Sequence, residues 1–207
     1  MRFLLAAFSL LVLFACQSSP DSTQQTAAST PQLPVVQSLQ VGGQQLETFD
    51  LNGTTWLAEN LVLETPDSWC FGNEAANCAQ DGRLYRHQAA LQACQQLGEG
   101  WVLPSESDYK LLAENLGGYY NWLDDQTVKD PVLANKQLHA LGFTLSGFRG
   151  SGGGFENRGQ AGFYWTATTS EETQVWMVQL GVSGSKLTFR PASKGMGMSC
   201  RCVRYPK

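Results

Sequence analysis

An α+β domain is what this sequence predicts, on three observations. Tyr85, Ala89, Ala93 and Leu97 recur every four residues and draw an apolar stripe along one helix, and Tyr109, Leu112 and Leu116 draw a second one after Ser105. Toward the C-terminus the chain changes to short runs with a period of two. The order of parts, a strand pair, two helices, long loops and then a terminal group of antiparallel strands, favours α+β over a repeating βαβ plan. With 207 residues, 43% of them hydrophobic and 11% aromatic, the chain can bury one core of ordinary size.

At the N-terminus Arg2 precedes an apolar run, Phe3 to Phe14, that is too short to span a bilayer as a mature helix. Leu13-Phe14-Ala15-Cys16 is a small-residue cleavage point that ends in cysteine, and the whole resembles a bacterial lipoprotein signal. Residues 1–15 are then the signal peptide and Cys16 is the lipid attachment, each buried methylene contributing ~0.8 kcal/mol to membrane anchoring. An ordinary secretory signal cleaved nearby is the alternative, and either one exports the chain. Residues 17–40 hold Ser, Thr, Gln, Ala and Pro with no aromatic, and cannot bury enough apolar surface to offset their ordering entropy. Residues 16–40 therefore read as the lipidated cysteine and a flexible tether, with the folded domain at 41–207.

Inside that domain Asn52-Gly53 favours positive φ at a tight turn between Leu46 and Leu57, which predicts a hairpin. Leu61 to Gln80 is polar and irregular. Gly98 suits the end of the first helix, and Pro104 cuts off the apolar run Trp101-Val102-Leu103. Ser105 and Asp108 form a capping-box-like start to the second helix, which runs to Gly117-Gly118. Residues 119–135 lack a clean period. Ser146 to Gly162 has seven glycines in seventeen residues, too many for a regular element, and reads as a long ordered loop. Strands are expected at Tyr164–Thr168, Val175–Leu180, Leu187–Arg190 and Met198–Arg204.

The net charge of −4 comes without a basic run, so the phosphate-neutralising surface that nucleic-acid binding needs is missing. His87 and His139 are the only histidines, and no G-x-S-x-G or Cys-His context accompanies them. The acidic pairs Asp124-Asp125 and Glu171-Glu172 lie in polar segments, where such pairs are solvated. The glycines at 150–154 lack the Lys-Ser/Thr of a phosphate loop. Neither calcium nor any cofactor is implied, and the domain is read as non-catalytic.

Six cysteines include Cys16. In an exported chain, disulfides are the first reading of the other five, with one thiol left over; a metal centre is not expected, because Cys200-Arg201-Cys202 lacks the turn spacing of a zinc grip. Cys70 and Cys78 would staple a loop. A bond from Cys94 to Cys202 would close roughly 109 residues, worth about 4–5 kcal/mol in the chain-entropy model, and Cys200 competes for the same partner.

With those residues in view, the chain resembles the Fibrobacter succinogenes major paralogous domain family. The resemblance runs through Trp56-Leu57-Ala58-Glu59-Asn60-Leu61, Gly82-Arg83-Leu84-Tyr85, Ala93-Cys94, Gly100-Trp101-Val102-Leu103-Pro104-Ser105, Gly142-Phe143, Gly147-Phe148-Arg149, Gly154-Phe155, Tyr164-Trp165-Thr166-Ala167-Thr168 and Ser199-Cys200-Arg201-Cys202-Val203-Arg204. It implies a C-type lectin-like fold with two short helices, antiparallel strands and long ordered loops, and a bond from Cys94 to Cys202. It also implies that Arg149 is a fixed arginine that hydrogen-bonds loop carbonyls. Cys200 stands where the family usually has an apolar residue.

The expected function is that of an exported, membrane-anchored lipoprotein at the outer membrane or cell surface, whose domain binds a glycan or a protein. Tyr119, Tyr120 and Trp122, with Arg149 and Asn157 from the glycine-rich loop, are the candidate contacts, since aromatics beside polar groups on rigidly held loops are the usual material of binding sites. The two stretches are expected to meet on one side of the domain. The alternative is an enzyme distantly related to formylglycine-generating oxidases, for which Cys200 would be the free cysteine.

Overall fold

Asn52 and Gly53 both take positive φ, 51° and 81°, and turn β2 (Gln44–Leu51) back into β3 (Thr54–Leu57) in the register Leu51↔Thr54. The hairpin is the one that Asn-Gly predicts. It places Phe49 opposite Trp56, with ring centroids 6.3 Å apart. The structure is a computed structural model that describes residues 32–41 and 43–206. The expected signal peptide at residues 1–15, the expected lipid attachment at Cys16 and residues 17–31 lie outside the described residues. Within the expected tether, β1 (Val36–Val41) pairs along its whole length with β2, so the folded part starts some residues before Val41. Its alternating partners, Leu39↔Leu46 and Val41↔Gln44, are what the composition of the segment concealed.

The chain continues through β4 (Ser68–Trp69), a 3-10 turn at Phe71–Asn73, α1 (Ala75–Asp81), β5 (Leu84–Arg86), α2 (His87–Gln96), β6 (Trp101–Val102) and α3 (Glu106–Leu116). Next come β7 (Gly118–Asn121), β8 (Gln126–Lys129), α4 (Pro131–Ala140), β9 (Phe148–Arg149), β10 (Phe155–Glu156) and β11 (Ala161–Glu171). The last elements are β12 (Gln174–Gly181), β13 (Thr188–Ser193), β14 (Gly197–Ser199) and β15 (Val203–Arg204). Five strands form one sheet in the order β1-β2-β3-β15-β6. Ten form the other, β10-β9-β14-β11-β12-β13-β7-β8, with β5 attached to β14 and β4 to β5.

The expected α+β, C-type lectin-like class is therefore corrected. Among the described residues the chain is mostly β, two sheets with fifteen strands, and four short α-helices pack against them. Strands of two residues carry no period of their own, so β4, β9 and β10 left no trace in the sequence pattern, while β6 lies in the apolar run Trp101-Val102-Leu103 and β15 inside the expected strand Met198–Arg204.

Where the sequence does carry a local rule, the structure follows it. Ser105 and Asp108 close a reciprocal capping box on α3, and Asp130 caps α4 with Pro131 at its first position. Ala89, Ala90, Ala93 and Cys94 form the buried face of α2, while Tyr85 stands one element earlier, on β5. Gly117 and Gly118, both at φ 149°, let β7 leave α3 against the start of α4: a Cβ on Gly118 would lie 2.0 Å from the Val128 carbonyl oxygen.

Two cores share the long strand β11. Phe163 and Trp165 enter the core around α2 and the Cys94–Cys202 disulfide, and Tyr164 between them enters the other, with Trp56, Tyr109, Phe143 and Phe189. The expected strand Met198–Arg204 is split, β14 belonging to the large sheet and β15 to the small one. Cys200-Arg201-Cys202 is the crossing. The two cysteines face the first core, and Arg201 faces the other way. Cys94–Cys202 closes a separation of 108 residues and Cys70–Cys78 one of 8, worth roughly 5 and 2.5 kcal/mol in the chain-entropy model.

Candidate functional site

The β7–β8 hairpin puts its aromatic residues in different surroundings. Tyr119 is 8% exposed and meets the Phe189 ring edge-on at 5.1 Å, so it belongs to the core and not to a binding surface. Tyr120, next in the strand, points to the other side; its hydroxyl donates to Asp125 at 2.8 Å and the Lys186 ammonium stands 4.7 Å from its ring centroid. Hydrogen bonding to the Asp125 carboxylate pushes the Tyr120 phenol above its ordinary range, with lesser contributions from desolvation and the charges of Asp125 and Asp124. The Asn121 side chain is buried and accepts from the Leu123 amide at 3.2 Å, an Asx turn that holds the tip. Trp122 is 57% exposed and Leu123 62%. Asp124, Asp125 and Gln126 are exposed beside them.

Arg149 and Asn157 lie elsewhere. Arg149 is on β9, and Asn157, at φ 64°, forms the turn after β10, its carbonyl accepting from Gln160 and Ala161. Between β9 and β7 the large sheet has five strand spacings, roughly 24 Å along the sheet. The two stretches expected to meet are thus on opposite edges. They are separated by β14, β11, β12 and β13, an order that no local pattern could reveal.

The expected role of Arg149 is corrected too. The arginine that hydrogen-bonds loop carbonyls is Arg201, fully buried, which donates to the carbonyls of Leu57 and Leu141 at 3.2 and 3.1 Å, to that of Gly142, and to Asn60 Oδ1 at 3.0 Å. Its guanidinium carbon lies 3.7 Å over the Phe143 ring. Burial brings its pKa down to about 10, so it stays charged at neutral pH. Arg149 instead lies 4.1 Å over the Trp69 ring.

Sequence reasoning also missed Trp69, Phe71, Arg86 and Arg158. They sit in or near the segment stapled by Cys70–Cys78, and that short-range bond in a polar stretch was the signal that the stretch is held rigidly. Phe71 lies 5.3 Å from Phe155, and with Asn157 and Arg158 these rings line a groove of about 660 Å³. Arg158 spans from there to Asp81, Nε to Oδ2 at 2.7 Å, and to Gln80 at 2.9 Å.

Among the described residues Cys200 is the free cysteine, and it is fully buried, its sulfur 3.3 Å from that of Cys94 and 3.9 Å from that of Cys202. Burial drives its thiol well above the usual range. These three sulfur atoms lie within 4.8 Å of one another, a group with metal-ligand spacing, but the disulfide uses two of them and a thiolate is what binds metal. Each histidine is engaged with backbone carbonyls, His87 with Thr166 and His139 with Phe143 and Gly181.

What these parts define is a mostly-β, disulfide-closed domain with two separate aromatic surfaces, one at each edge of its large sheet. Residues 37–204 match the family model described as the Fibrobacter succinogenes major domain, and the chain belongs to that family. No curated protein and no solved structure matches it.

Proposed function

We propose that this protein is exported, anchored to a membrane through lipid on Cys16, and displays a non-catalytic domain that binds glycan through the β7–β8 hairpin. The observation that carries this reading is Trp122, 57% exposed at a tip fixed by the Asn121 turn and the Tyr120–Asp125 bond. A large exposed aromatic held in place loses little conformational entropy on binding and offers much contact area. Flanking Asp124, Asp125 and Gln126 supply acceptors and an amide for sugar hydroxyls, next to a ring face on which a pyranose can stack. The buried state of Cys200 also weighs for binding over oxidase chemistry, which needs a thiol that substrate can reach.

A glycan array probed with the compact unit 31–207 tests the hairpin. Binding that Trp122→Ala removes, with the melting temperature unchanged, supports it. Binding to proteins alone would move the ligand to the class that Leu123 suits, and no Trp122-dependent binding at all would refute the reading. The anchor is tested by labelled palmitate, which must enter the wild-type protein and not Cys16→Ser.

A further inference from the structure

We infer that Arg149, laid over Trp69, is a subsite for a single carboxylate on an acidic saccharide. Arg86, Gly197 and Arg149 are directly opposite one another on β5, β14 and β9, so both arginines project from the same side of the sheet, roughly 10 Å apart with a glycine between them. Trp69 occupies the space above that glycine. A Cβ at Gly197 would lie 3.2 Å from the indole and 3.1 Å from Arg149 Cβ, so the row holds together only with glycine in the middle. Both guanidinium groups approach the same ring, Arg149 at 4.1 Å and Arg86 at 5.7 Å from its centroid.

Their charges are handled differently. Arg86 pairs with Asp67 at 3.1 Å, and Arg158, across the neighbouring groove, pairs with Asp81. The Arg149 side chain makes neither an ion pair nor a hydrogen bond among the described residues; its guanidinium lies against the Trp69 and Phe155 rings. The donors of a guanidinium lie in its own plane, so one laid over an aromatic face keeps them directed outward. Gly153, at φ 99°, packs beside one end of that edge, where a Cβ would stand 3.0 Å from Arg149 Nη2, so a side chain there would cover the nitrogen. A planar carboxylate meets such an edge through two parallel hydrogen bonds.

The rest of the ligand follows from the groove that begins at Phe155. It offers ring faces from Phe155 and Phe71, the amide of Asn157 and the edge of Arg158, a mixture that suits a pyranose with its hydroxyls better than an extended peptide. Glu156 lines the same groove and is exposed, so a second anion would be repelled there. The site takes one carboxylate at Arg149 and a neutral ring beside it.

Isothermal titration of the 31–207 unit with an oligosaccharide carrying a single uronate beside neutral hexoses, its methyl ester, a digalacturonate and an oligoglutamate peptide tests this. The acidic oligosaccharide should bind at least tenfold more tightly than its ester or the peptide, and less tightly as salt rises. Arg149→Gln should lose that preference, and Glu156→Gln should tighten binding of the digalacturonate several-fold, the latter remaining decisive even if the arginine variant folds poorly. Trp122→Ala should leave this binding unchanged, which separates it from the hairpin. Equal affinity for acid and ester, preference for the peptide, no binding, or no effect of Glu156→Gln overturns the assignment.

Discussion

Removing either end of the long-range disulfide should have unequal effects, because a third sulfur stands beside it. Cys94→Ala deletes the only partner on α2. The bond across 108 residues goes, and with it roughly 5 kcal/mol; a bond between Cys200 and Cys202 would span two residues and restore almost none of that. In Cys202→Ala the Cys200 sulfur, 3.3 Å from Cys94, can replace the missing one over a separation of 106 residues. The two loops differ in closure cost by less than ~0.1 kcal/mol. What Cys202→Ala loses is then the packing of one sulfur in a full core, on the order of 1–2 kcal/mol. Each variant loses one buried sulfur but only Cys94→Ala loses the long-range bond, so urea unfolding of the 31–207 unit, refolded with a glutathione couple, should separate them by roughly 5 kcal/mol. Thiol titration and non-reducing peptide mapping should find one free thiol in the wild type and a Cys94–Cys200 bond in Cys202→Ala. If Cys202→Ala keeps two free thiols and is as unstable as Cys94→Ala, the three sulfurs are not neighbours and the reasoning fails.

Arg201→Met should cost on the order of 3–5 kcal/mol by chemical denaturation, since the buried carbonyls of Leu57 and Leu141, that of Gly142 and Asn60 Oδ1 lose their donor; Arg201→Lys should recover little, one ammonium being unable to reach all four. Burial holds His87 below the usual imidazole range, opposed by the Thr166 carbonyl, which favours its protonated form. The unfolded chain therefore takes up this proton from about pH 6.5 downward while the native protein resists it, so stability present above pH 6.5 is lost as the pH falls, and His87→Gln should flatten the melting temperature between about pH 7 and 5. Gly118→Ala should prevent folding or cost more than ~3 kcal/mol, visible as loss of the cooperative transition, because the added carbon meets the backbone of β8. Trp122→Ala should change stability by less than ~0.5 kcal/mol while removing glycan binding at the β7–β8 hairpin, as suits a side chain mostly in solvent.

Much of the hairpin tip is legible in the sequence. Tyr120, Asn121 and Trp122 are an aromatic and polar cluster with no core-facing period, and the structure leaves Trp122 exposed while Tyr119, which strand alternation turns inward, is buried against Phe189. Arg149 was found as a residue but given the wrong task. Its motif says that an arginine is held in place; only packing tells that Trp69, some eighty residues earlier, is what holds it, while Arg201 takes the buried carbonyls.

By itself the sequence determined what depends on near neighbours. The Asn52-Gly53 turn, the Ser105–Asp108 capping box, the buried face of α2 and the end of α3 at a double glycine each rest on energies acting within a few residues. Tertiary structure decided the rest. Which strands lie side by side, that Met198–Arg204 divides between two sheets, that Val36–Val41 joins the fold, and that the two expected binding stretches stand at opposite edges all depend on pairings between segments far apart in the chain. Two-residue strands such as β9 and β15 have no pattern of their own and exist because a neighbour's backbone groups must be satisfied.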